Sequence, residues 1–375
     1  MINRKRLIKI TQNLIRINSE NPPGNESAIA GYVKDFLGGL GIKAKIYAFK
    51  KNRPNVVATL KVNGRRKSLL ITPHLDTVPQ GKNWRFPPFS ATIHNGRIYG
   101  LGATDCKGNI AVSLEVINSL VEDEITLGYN LIFAATSDEE TGSDLGLIPL
   151  LEKRLLFADA AVILDSDDFS IIVAQKGLIH LKLKIQGKRA HGAYPWQGIN
   201  AINIAAKIIR DLEKYNFRYK KNRFLKRPTV NVGTIHGGDK VNVVADWCEV
   251  ELDFRFLPGT KDKDVLLALR NIVKKYSRRF KIEIQGIQKP YEIHMRHPLV
   301  LGLAQAMRRV GVQSEVGGSE GATTITFFQH KNIPAVATGF GKEGCAHTIN
   351  EHVSIDSLYK GARVLEEFLK SYKFE

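Results

Sequence analysis

The chain has 375 residues, of which 25% are charged and 43% are hydrophobic. These fractions are close to globular averages and exclude a disordered or fibrous protein. The formal net charge is +18, but the basic residues are spread along the chain and lack the interleaved aromatic residues of nucleic-acid-binding segments. We therefore expect a generally basic surface that favours anionic ligands, and no nucleic-acid site.

Neither a membrane span nor a signal peptide is expected. No apolar stretch approaches the roughly 20 residues that cross a bilayer, and the opening segment predicts an amphipathic helix that ends near Asn18. The three cysteines, Cys106, Cys248 and Cys345, lack the even number and paired spacing of a disulfide framework. This cysteine usage favours the reducing cytoplasm.

From Lys67 onward, short apolar runs alternate with helical patterns, which is typical of a parallel sheet flanked by helices. Strands are predicted at Ser68–Thr72, Tyr129–Thr136 and Ala160–Leu164, and a helix from Gly108 to Leu120. The length of the chain favours two domains. The first is therefore expected to be an α/β domain with a central, mostly parallel sheet.

A different pattern begins at Gly177. It contains the strand LIHLKLKIQG, a helix from Asn200 to Tyr215, the strands TVNVGTIHGG and WCEVELDFRF, a helix from Asp262 to Arg279 and the strand FKIEIQG. The order βαββαβ predicts an inserted α+β domain of ferredoxin-like type. Helix and strand patterns of the first kind then resume. We predict one domain from residues 1–176 and 288–375, with residues 177–287 inserted in it.

Acidic residues and histidines follow the predicted strands. His74 and Asp76 come after the first strand, Glu139 and Glu140 after the second, and Asp165 after the third. In an open α/β sheet, the carboxyl ends of the strands form the ligand crevice. Distant segments are therefore predicted to bring metal-binding side chains to one place.

Two further residues complete a set of donors. Asp105 lies in the glycine-rich loop GLGATDCKGN, and His347 lies in GCAHTINEH. Two imidazoles and three carboxylates suffice for two zinc ions that share one carboxylate and keep an open position for water. The donors are His74, Asp105, Glu140, Asp165 and His347. Alone, each has an ordinary explanation, such as a helix cap for Asp105, but the conjunction favours a metal site.

Six segments resemble successive motifs of the co-catalytic zinc aminoacylase and carboxypeptidase family, which includes acetylornithine deacetylase, succinyl-diaminopimelate desuccinylase and glutamate carboxypeptidase. The segments are PHLDTVP, YGLGATDCKG, SDEETGS, KRAHGAYPWQGINAI, LDFRFLPGT and AHTINEHV. The likeness runs from NPPGNE near Asn21 to the final helix. It implies a catalytic α/β domain, an inserted lid and dimerisation domain, and a homodimer. It also implies a zinc-dependent amidohydrolase that cleaves an N-acyl amino acid or small peptide with a free carboxylate.

The resemblance also implies a role for each candidate ligand. His74, Asp105 and Asp165 would hold one zinc ion, and Asp105, Glu140 and His347 the other, with Asp105 bridging. Related proteins often have Glu at the position of Asp165. The metal could also be Co²⁺ or Mn²⁺ in place of Zn²⁺.

Two acidic residues next to the ligands would serve the catalytic step. Asp76 would orient His74. Glu139 would act as the general base.

Three residues of the inserted domain resemble family site residues. His191 is similar to the histidine that reaches into a neighbouring subunit's active site, although a turn histidine is the alternative. Arg255 is similar to the arginine that clamps the substrate carboxylate; its alternative is an ion pair with Asp253 or Asp246. Asn242 resembles a residue that contacts the reacting carbonyl or the carboxylate.

One segment departs from the family pattern. Within GGSEGATT, Glu320 stands where the family has Asp. The wall of the substrate site that the resemblance implies is therefore expected to differ at this position. Cys106 and Cys345 flank site residues, but small buried thiols are commoner than thiolate ligands.

Two other functions remain open. The first is a dipeptidase or aminopeptidase with the same metal pair, and the second is a basic binding protein with a structural or vestigial zinc site. The complete ligand set together with Glu139 favours an enzyme.

Overall fold

The computed structural model describes residues 1–165 and 168–374. The chain divides into two compact units. The first unit comprises Met1–Val173, Ile293–Gly317 and Phe327–Glu375, and the second unit comprises Ala174–Glu292 and Gly318–Thr326. In the described ranges, no helix has both the length and the apolar character that a bilayer crossing requires.

In chain order, the helices are α1 (Arg4–Ile15), α2 (Ser27–Gly39), α3 (Lys107–Glu122), α4 (Leu147–Glu152), α5 (Ala201–Lys214), α6 (Asp262–Lys274), α7 (Pro298–Val310), α8 (Ile325–Gln329) and α9 (Ile355–Ser371). The strands are β1 (Lys45–Ala48), β2 (Pro54–Leu60), β3 (Ser68–Thr72), β4 (Thr92–His94), β5 (Arg97–Tyr99), β6 (Asn130–Ala135), β7 (Ala160–Leu164), β8 (Ser170–Gln175), β9 (Gly177–Gln186), β10 (Thr229–Gly237), β11 (Trp247–Phe256), β12 (Phe280–Gln288), β13 (Tyr291–Glu292), β14 (Glu315–Ser319), β15 (Ala335–Thr338) and β16 (His352–Ser354).

The main sheet of the first unit has the order β1-β2-β6-β3-β7-β15-β8. Its centre is parallel, because β3 pairs in parallel with β6 and β7, and β7 pairs in parallel with β15. The edge strands β1, β2 and β8 are antiparallel to their neighbours. Every residue of β7 is buried, which explains its continuous apolar sequence, since both faces of a parallel sheet are covered. The predicted α/β class is confirmed.

Helices supply the covering layers of this sheet. The helix α3 is buried from Lys107 through Leu120 and packs against α1 and α9. A separate small sheet has the order β16-β5-β4. Within it, His352 pairs with Tyr99, so the segment that follows His347 is held beside the loop that leads to Asp105.

The second unit has a sheet with the order β10-β11-β9-β12, and all its pairs are antiparallel. The helices α5 and α6 complete the predicted βαββαβ order. Strand β9 alternates between buried and more exposed residues, as expected for a sheet with one covered face. Its inward side chains pack with the buried faces of both helices. The predicted α+β character of this region is confirmed.

Two predicted helices end earlier than expected. Helix α1 ends at Ile15, because the side chain of Asn18 accepts the backbone N–H of Glu20 at 2.9 Å and forms a local turn. Helix α6 ends at Lys274 and not at Arg279. There, the Ser277 hydroxyl accepts the backbone N–H of Arg279 at 3.0 Å. Such side-chain-to-backbone bonds compete with helix continuation.

Candidate active site

His74 lies just beyond β3 and is 4% exposed. Its Nδ1 donates to the main-chain oxygen of Asp76 at 2.9 Å, whereas the nearest carboxylate oxygen of Asp76 is 3.7 Å away. The backbone carbonyl of Asp76 therefore orients the ring, and the Asp76 carboxylate, to which the resemblance gave that role, lies next to the same nitrogen. A donor at Nδ1 leaves the lone pair of Nε2 available to a cation. That Nε2 lies 2.9 Å from Oδ1 of Asp105.

The Asp76 carboxylate holds the loop that follows β6. It accepts the backbone N–H groups of Glu139 and Glu140, each at 3.1 Å, and the side-chain amide of Asn21 at 2.9 Å. Burial would raise the pKa of Asp76, but His74 and these donors lower it. An ionised Asp76 therefore fixes the main chain of two predicted site residues.

Asp105 joins the two histidines. Its Oδ1 contacts His74, and its Oδ2 lies 3.2 Å from Nε2 of His347. Burial would raise the pKa of Asp105, but the hydrogen bonds with both histidines lower it. The N-cap of α3 is Cys106, without a side-chain capping bond, so the structure does not support the alternative of a helix cap for Asp105.

Glu140 completes the group around His347. Its Oε2 lies 3.1 Å from Nε2 of His347. Hydrogen bonding to Asp105 and then to Glu140 raises the pKa of His347 to about 10. The other oxygen of Glu140, Oε1, is buried and has no hydrogen-bond partner in the described part of the chain.

Two sets of donors fit a pair of metal ions. His74, Asp105 and Asp165 form one set, and Asp105, Glu140 and His347 the other; in each set the ligand atoms lie within 4.8 Å of one another. Both sets combine imidazole and carboxylate, as zinc sites do. The unpartnered Oε1 of Glu140 is costly in a buried place unless a cation satisfies it. The five predicted ligands are therefore brought together in a way that suits two cations sharing Asp105.

Glu139 lies beside these sets and belongs to neither. Its side chain is partly buried, and burial raises its pKa well above the ordinary value, aided by the charges of Asp165, Glu140 and Asp105. A carboxyl group in such surroundings exchanges a proton near neutral pH more readily than an ordinary glutamate does.

Glu351 is a further buried residue at the site, and its sequence pattern predicts no role for it. Its Oε1 accepts the backbone N–H groups of Thr104 at 2.8 Å and Asp105 at 2.9 Å, and its Oε2 accepts that of Gly102 at 2.8 Å. Glu351 is 1% exposed, and burial raises its pKa to about 7. The only sequence signal was its place within AHTINEHV.

The predicted site residues of the second unit form two groups. His191 and Asn242 are exposed and lie on adjoining loops, because the backbone N–H of Gly192 donates to the main-chain oxygen of Asn242 at 2.8 Å. Arg255 is partly buried, and its Nε and Nη2 donate to the two carboxylate oxygens of Asp253 at 2.8 and 3.0 Å. The predicted alternative for Arg255, an ion pair with Asp253, is thus present.

Glu320 is exposed and forms an ion pair with a buried lysine of the second unit. Its Oε2 lies 2.5 Å from the ammonium group of Lys176, which is 1% exposed, and its Oε1 accepts the backbone N–H of Lys226 at 2.8 Å. Lys176 also donates to the main-chain oxygen of Arg227 at 2.6 Å. The residue that departs from the family pattern therefore holds the segment before β10 in its own unit.

The three cysteines are free and buried. Cys106 accepts the backbone N–H of His74 at 3.2 Å, and Cys345 lies 3.4 Å from Nδ1 of His352. Neither residue belongs to the donor sets found among the described residues, in line with the expectation of small buried thiols.

Comparisons with known proteins agree with this geometry. Residues 70–371 match the model of the peptidase family M20/M25/M40. The chain belongs to the M20 peptidase family. This M20 protein is 30% identical to an acetylornithine deacetylase of Vibrio cholerae, with 94% of this chain and 93% of that protein covered.

Two solved structures are also similar to this M20 protein. An M20 family metallo-carboxypeptidase from Sulfolobus solfataricus is 26% identical, with a TM-score of 0.81 and 97% and 98% of the two chains covered. A tripeptidase from Staphylococcus aureus is 26% identical, with a TM-score of 0.79 and 99% and 98% covered. The M20 protein is accordingly a metal-dependent hydrolase that acts on amide or peptide bonds, and the alternative of a basic binding protein is wrong.

Proposed function

We propose that this M20 hydrolase cleaves the amide bond of an N-acyl amino acid, or of a small peptide, that carries a free carboxylate, and that it uses two zinc ions per chain. The observation that carries the proposal is the pair of donor sets sharing Asp105, with the carboxyl group of Glu139 beside them and outside both. The similarity to a protein named acetylornithine deacetylase and to one named metallo-carboxypeptidase supports this substrate class.

In this proposal His74, Asp105 and Asp165 hold one cation, and Asp105, Glu140 and His347 hold the other. When bound, the two cations supply polarisation of the amide carbonyl and a lowered pKa for a water molecule. The oxygens of Glu139 accept a proton from the attacking water and later return it to the departing amine. This return is needed because an amide nitrogen leaves poorly without a proton. The hydrogen bond from the backbone N–H of Glu139 to the Asp76 carboxylate keeps Glu139 in place for both proton transfers.

We further propose that residues 177–287 form a lid and dimerisation domain. His191 would stabilise the oxyanion in the site of a second copy of the chain, an effect typically of about 3 kcal/mol per donor, and Asn242 would contact the same carbonyl or the carboxylate. Exposed apolar side chains beside His191 and Asn242 support a contact with another chain, since Trp196 is 74% and Val241 101% exposed.

Arg255 is proposed to clamp the substrate carboxylate. Its ion pair with Asp253 does not exclude this role, because two parallel hydrogen bonds fix the plane of the guanidinium group and so orient its remaining donors. A location in the cytoplasm is proposed as well, on the ground that the cysteines are free thiols.

A second candidate function is that of a dipeptidase or aminopeptidase with the same metal pair. The similarity to a protein named tripeptidase supports it. The two functions differ in which end of the substrate must be charged. A deacylase or carboxypeptidase requires a free carboxylate, whereas an aminopeptidase requires a free α-amine.

A hydrolysis screen tests the proposal. The protein is stripped with a chelator, reloaded with Zn²⁺, Co²⁺ or Mn²⁺, and offered N-acetyl and N-succinyl amino acids, dipeptides and tripeptides. Each compound is paired with its carboxamide-capped form. We expect turnover of N-acylated compounds with a free carboxylate and little turnover of their capped partners. Turnover limited to compounds with a free α-amine would instead establish the peptidase alternative.

A further inference from the structure

A buried ion-pair cluster lies behind the loop that carries Glu139 and Glu140. We propose that Arg53 is a positioning residue for catalysis: through Asp138 it sets the conformation of this loop and hence the place of Glu139. This inference rests on the proposed role of Glu139 as the general base. The cluster lies within the first unit and joins segments that are distant along the chain, namely Asn21, Glu26, Arg53 and Asp138.

Asp138 is the residue through which the cluster acts. It is buried and adopts the left-handed conformation, with φ of 69° and ψ of 21°, which is uncommon for residues other than glycine. Its carboxylate accepts hydrogen bonds from the Thr141 hydroxyl at 2.6 Å and the Leu145 backbone N–H at 3.0 Å. The next residue in the chain is Glu139. The peptide plane that aims Glu139 therefore depends on how Asp138 is held.

Arg53 holds Asp138 from the beginning of β2. Its Nη2 donates to Oδ1 of Asp138 at 2.9 Å, and its Nε donates to the Glu26 carboxylate at 2.7 and 3.0 Å. All three side chains are almost fully buried, with exposures of 5%, 6% and 0% for Arg53, Asp138 and Glu26. Without the guanidinium group, two carboxylates would be left close together away from water, which is strongly unfavourable.

Asn21 links this cluster to Asp76. Its Nδ2 lies 2.9 Å from Oδ2 of Asp76, 3.4 Å from Oδ1 of Asp138 and 3.0 Å from Oγ1 of Thr141. The same Asp76 accepts the N–H of Glu139. Glu139 is thus held from two sides: its backbone N–H donates to Asp76, and the residue before it in the chain, Asp138, is fixed by Arg53.

The neighbouring NPPG segment leaves room for the guanidinium group. A Cβ atom on Gly24 would lie 2.3 Å from Cζ of Arg53, and Gly24 itself has φ of 78°. A larger residue here would strain the backbone and displace the guanidinium group from its partners. The segment from Asn21 to Gly24 and the arginine at the start of β2 act together as a support for the catalytic loop.

Four variants of this M20 hydrolase test the inference: Arg53→Ala, Arg53→Lys, Asp138→Asn and, as a matched control, Arg6→Ala. Arg6 also pairs with a buried glutamate, Glu115, but this pair joins α1 to α3. Asp138→Asn removes the charge that Arg53 neutralises while Asn tolerates the left-handed conformation, so it remains informative if Arg53→Ala does not fold. Each variant is assayed for kcat, KM, metal content and thermal unfolding.

We expect Arg53→Ala and Asp138→Asn to lower kcat by about 100-fold, the order of loss caused by misplacing a catalytic group by about 1 Å. Their KM should change less than kcat, and metal content should stay near that of the parent protein. Arg53→Lys should lose less, and added guanidinium, at concentrations that do not unfold the protein, should restore part of the kcat of Arg53→Ala. The control Arg6→Ala should lower thermal stability and leave kcat near that of the parent protein.

Two results would overturn the inference. The first is a kcat of Arg53→Ala and Asp138→Asn that equals the parent value while stability falls as in Arg6→Ala. The second is a loss of activity that follows metal loss alone and is not rescued by guanidinium. A separate variant, Glu139→Gln, tells this failure apart from failure of the proposed function. If Glu139→Gln keeps full turnover, the role of Glu139 is refuted, whereas an inactive Glu139→Gln with a fully active Arg53→Ala refutes only the positioning role.

Discussion

The carboxylate of Glu351 and the backbone N–H of Asp105 are joined by a hydrogen bond of 2.9 Å. The same carboxylate accepts two more backbone N–H groups of the loop, from Gly102 and Thr104. Because Glu351 also follows His347 closely in the chain, one buried side chain connects the loop of Asp105, which belongs to both donor sets, with the segment that carries His347.

Replacing Glu351 with glutamine should weaken metal binding. Glutamine has the same shape but only one acceptor oxygen, so its amide group would point a donor at one of the backbone N–H groups. We expect metal affinity to fall by about 10- to 100-fold, as is typical when the support of a ligand is lost. Competition with a chromophoric chelator measures this affinity.

The matched control for Glu351→Gln is Glu366→Gln. Glu366 accepts a side-chain hydrogen bond from Ser119 and pairs with Lys370 on α9, and its substitution should leave metal affinity unchanged. Equal affinities in Glu351→Gln and the parent protein would remove Glu351 from this supporting role.

Replacing Glu139 with alanine should abolish most of kcat and leave the metal content near two ions per chain, because Glu139 belongs to neither donor set. Elemental analysis and steady-state kinetics on the same preparation check both parts of this expectation. Near-full turnover in Glu139→Ala would show that another group carries the proton.

The shared position of Asp105 predicts unequal effects of two similar substitutions. Asp105→Asn should lower occupancy of both metal positions, since Asp105 is the member common to the two sets, whereas Asp165→Asn should affect one set. The protein is first stripped of metal with a chelator and then titrated with Co²⁺, and the absorbance gives the number of ions bound. A full pair of ions in Asp105→Asn would contradict the sharing.

Arg255 offers a test of substrate recognition. Lysine keeps the charge but cannot form the bidentate fork, so Arg255→Lys should raise KM for substrates with a free carboxylate by about 10-fold or more. The KM for carboxamide-capped analogues should change little. Arg189→Lys, which alters an exposed arginine paired with Asp239, serves as the control. Equal changes for capped and uncapped substrates would argue against a carboxylate clamp.

Mixed oligomers test the proposed role of His191. Inactive Glu139→Ala and impaired His191→Ala chains are unfolded together, refolded and assayed. If His191 acts in the site of a second copy, a mixed dimer contains one site with both residues intact, and part of the activity should return. No recovery, despite mixed dimers demonstrated with differently tagged chains, would place His191 in its own chain's site or in none.

Much of the fold followed from local patterns. The strands Ser68–Thr72 and Ala160–Leu164 were predicted with the observed bounds, because a strand covered on both faces has a continuous apolar sequence. Helix ends were less predictable. The turns at Asn18 and Ser277 depend on one or two side-chain-to-backbone bonds, which differ only slightly in free energy from another helical turn.

The same contrast holds for the site. Which side chains can bind metal is a property of residue type, and their placement after predicted strands already put most of the predicted donors, such as His74 and Glu140, at one edge of the sheet.

The sequence by itself therefore determined the fold class, the donor chemistry and the family resemblance. Only the tertiary structure decided which buried groups hold those donors. The carbonyl of Asp76 orients His74, Glu351 fixes the Asp105 loop, and Arg53 neutralises Asp138. Each of these contacts joins groups in a buried place where an unpaired charge or N–H is costly, and in two of the three the partners are distant in the chain, so that no local pattern reveals them.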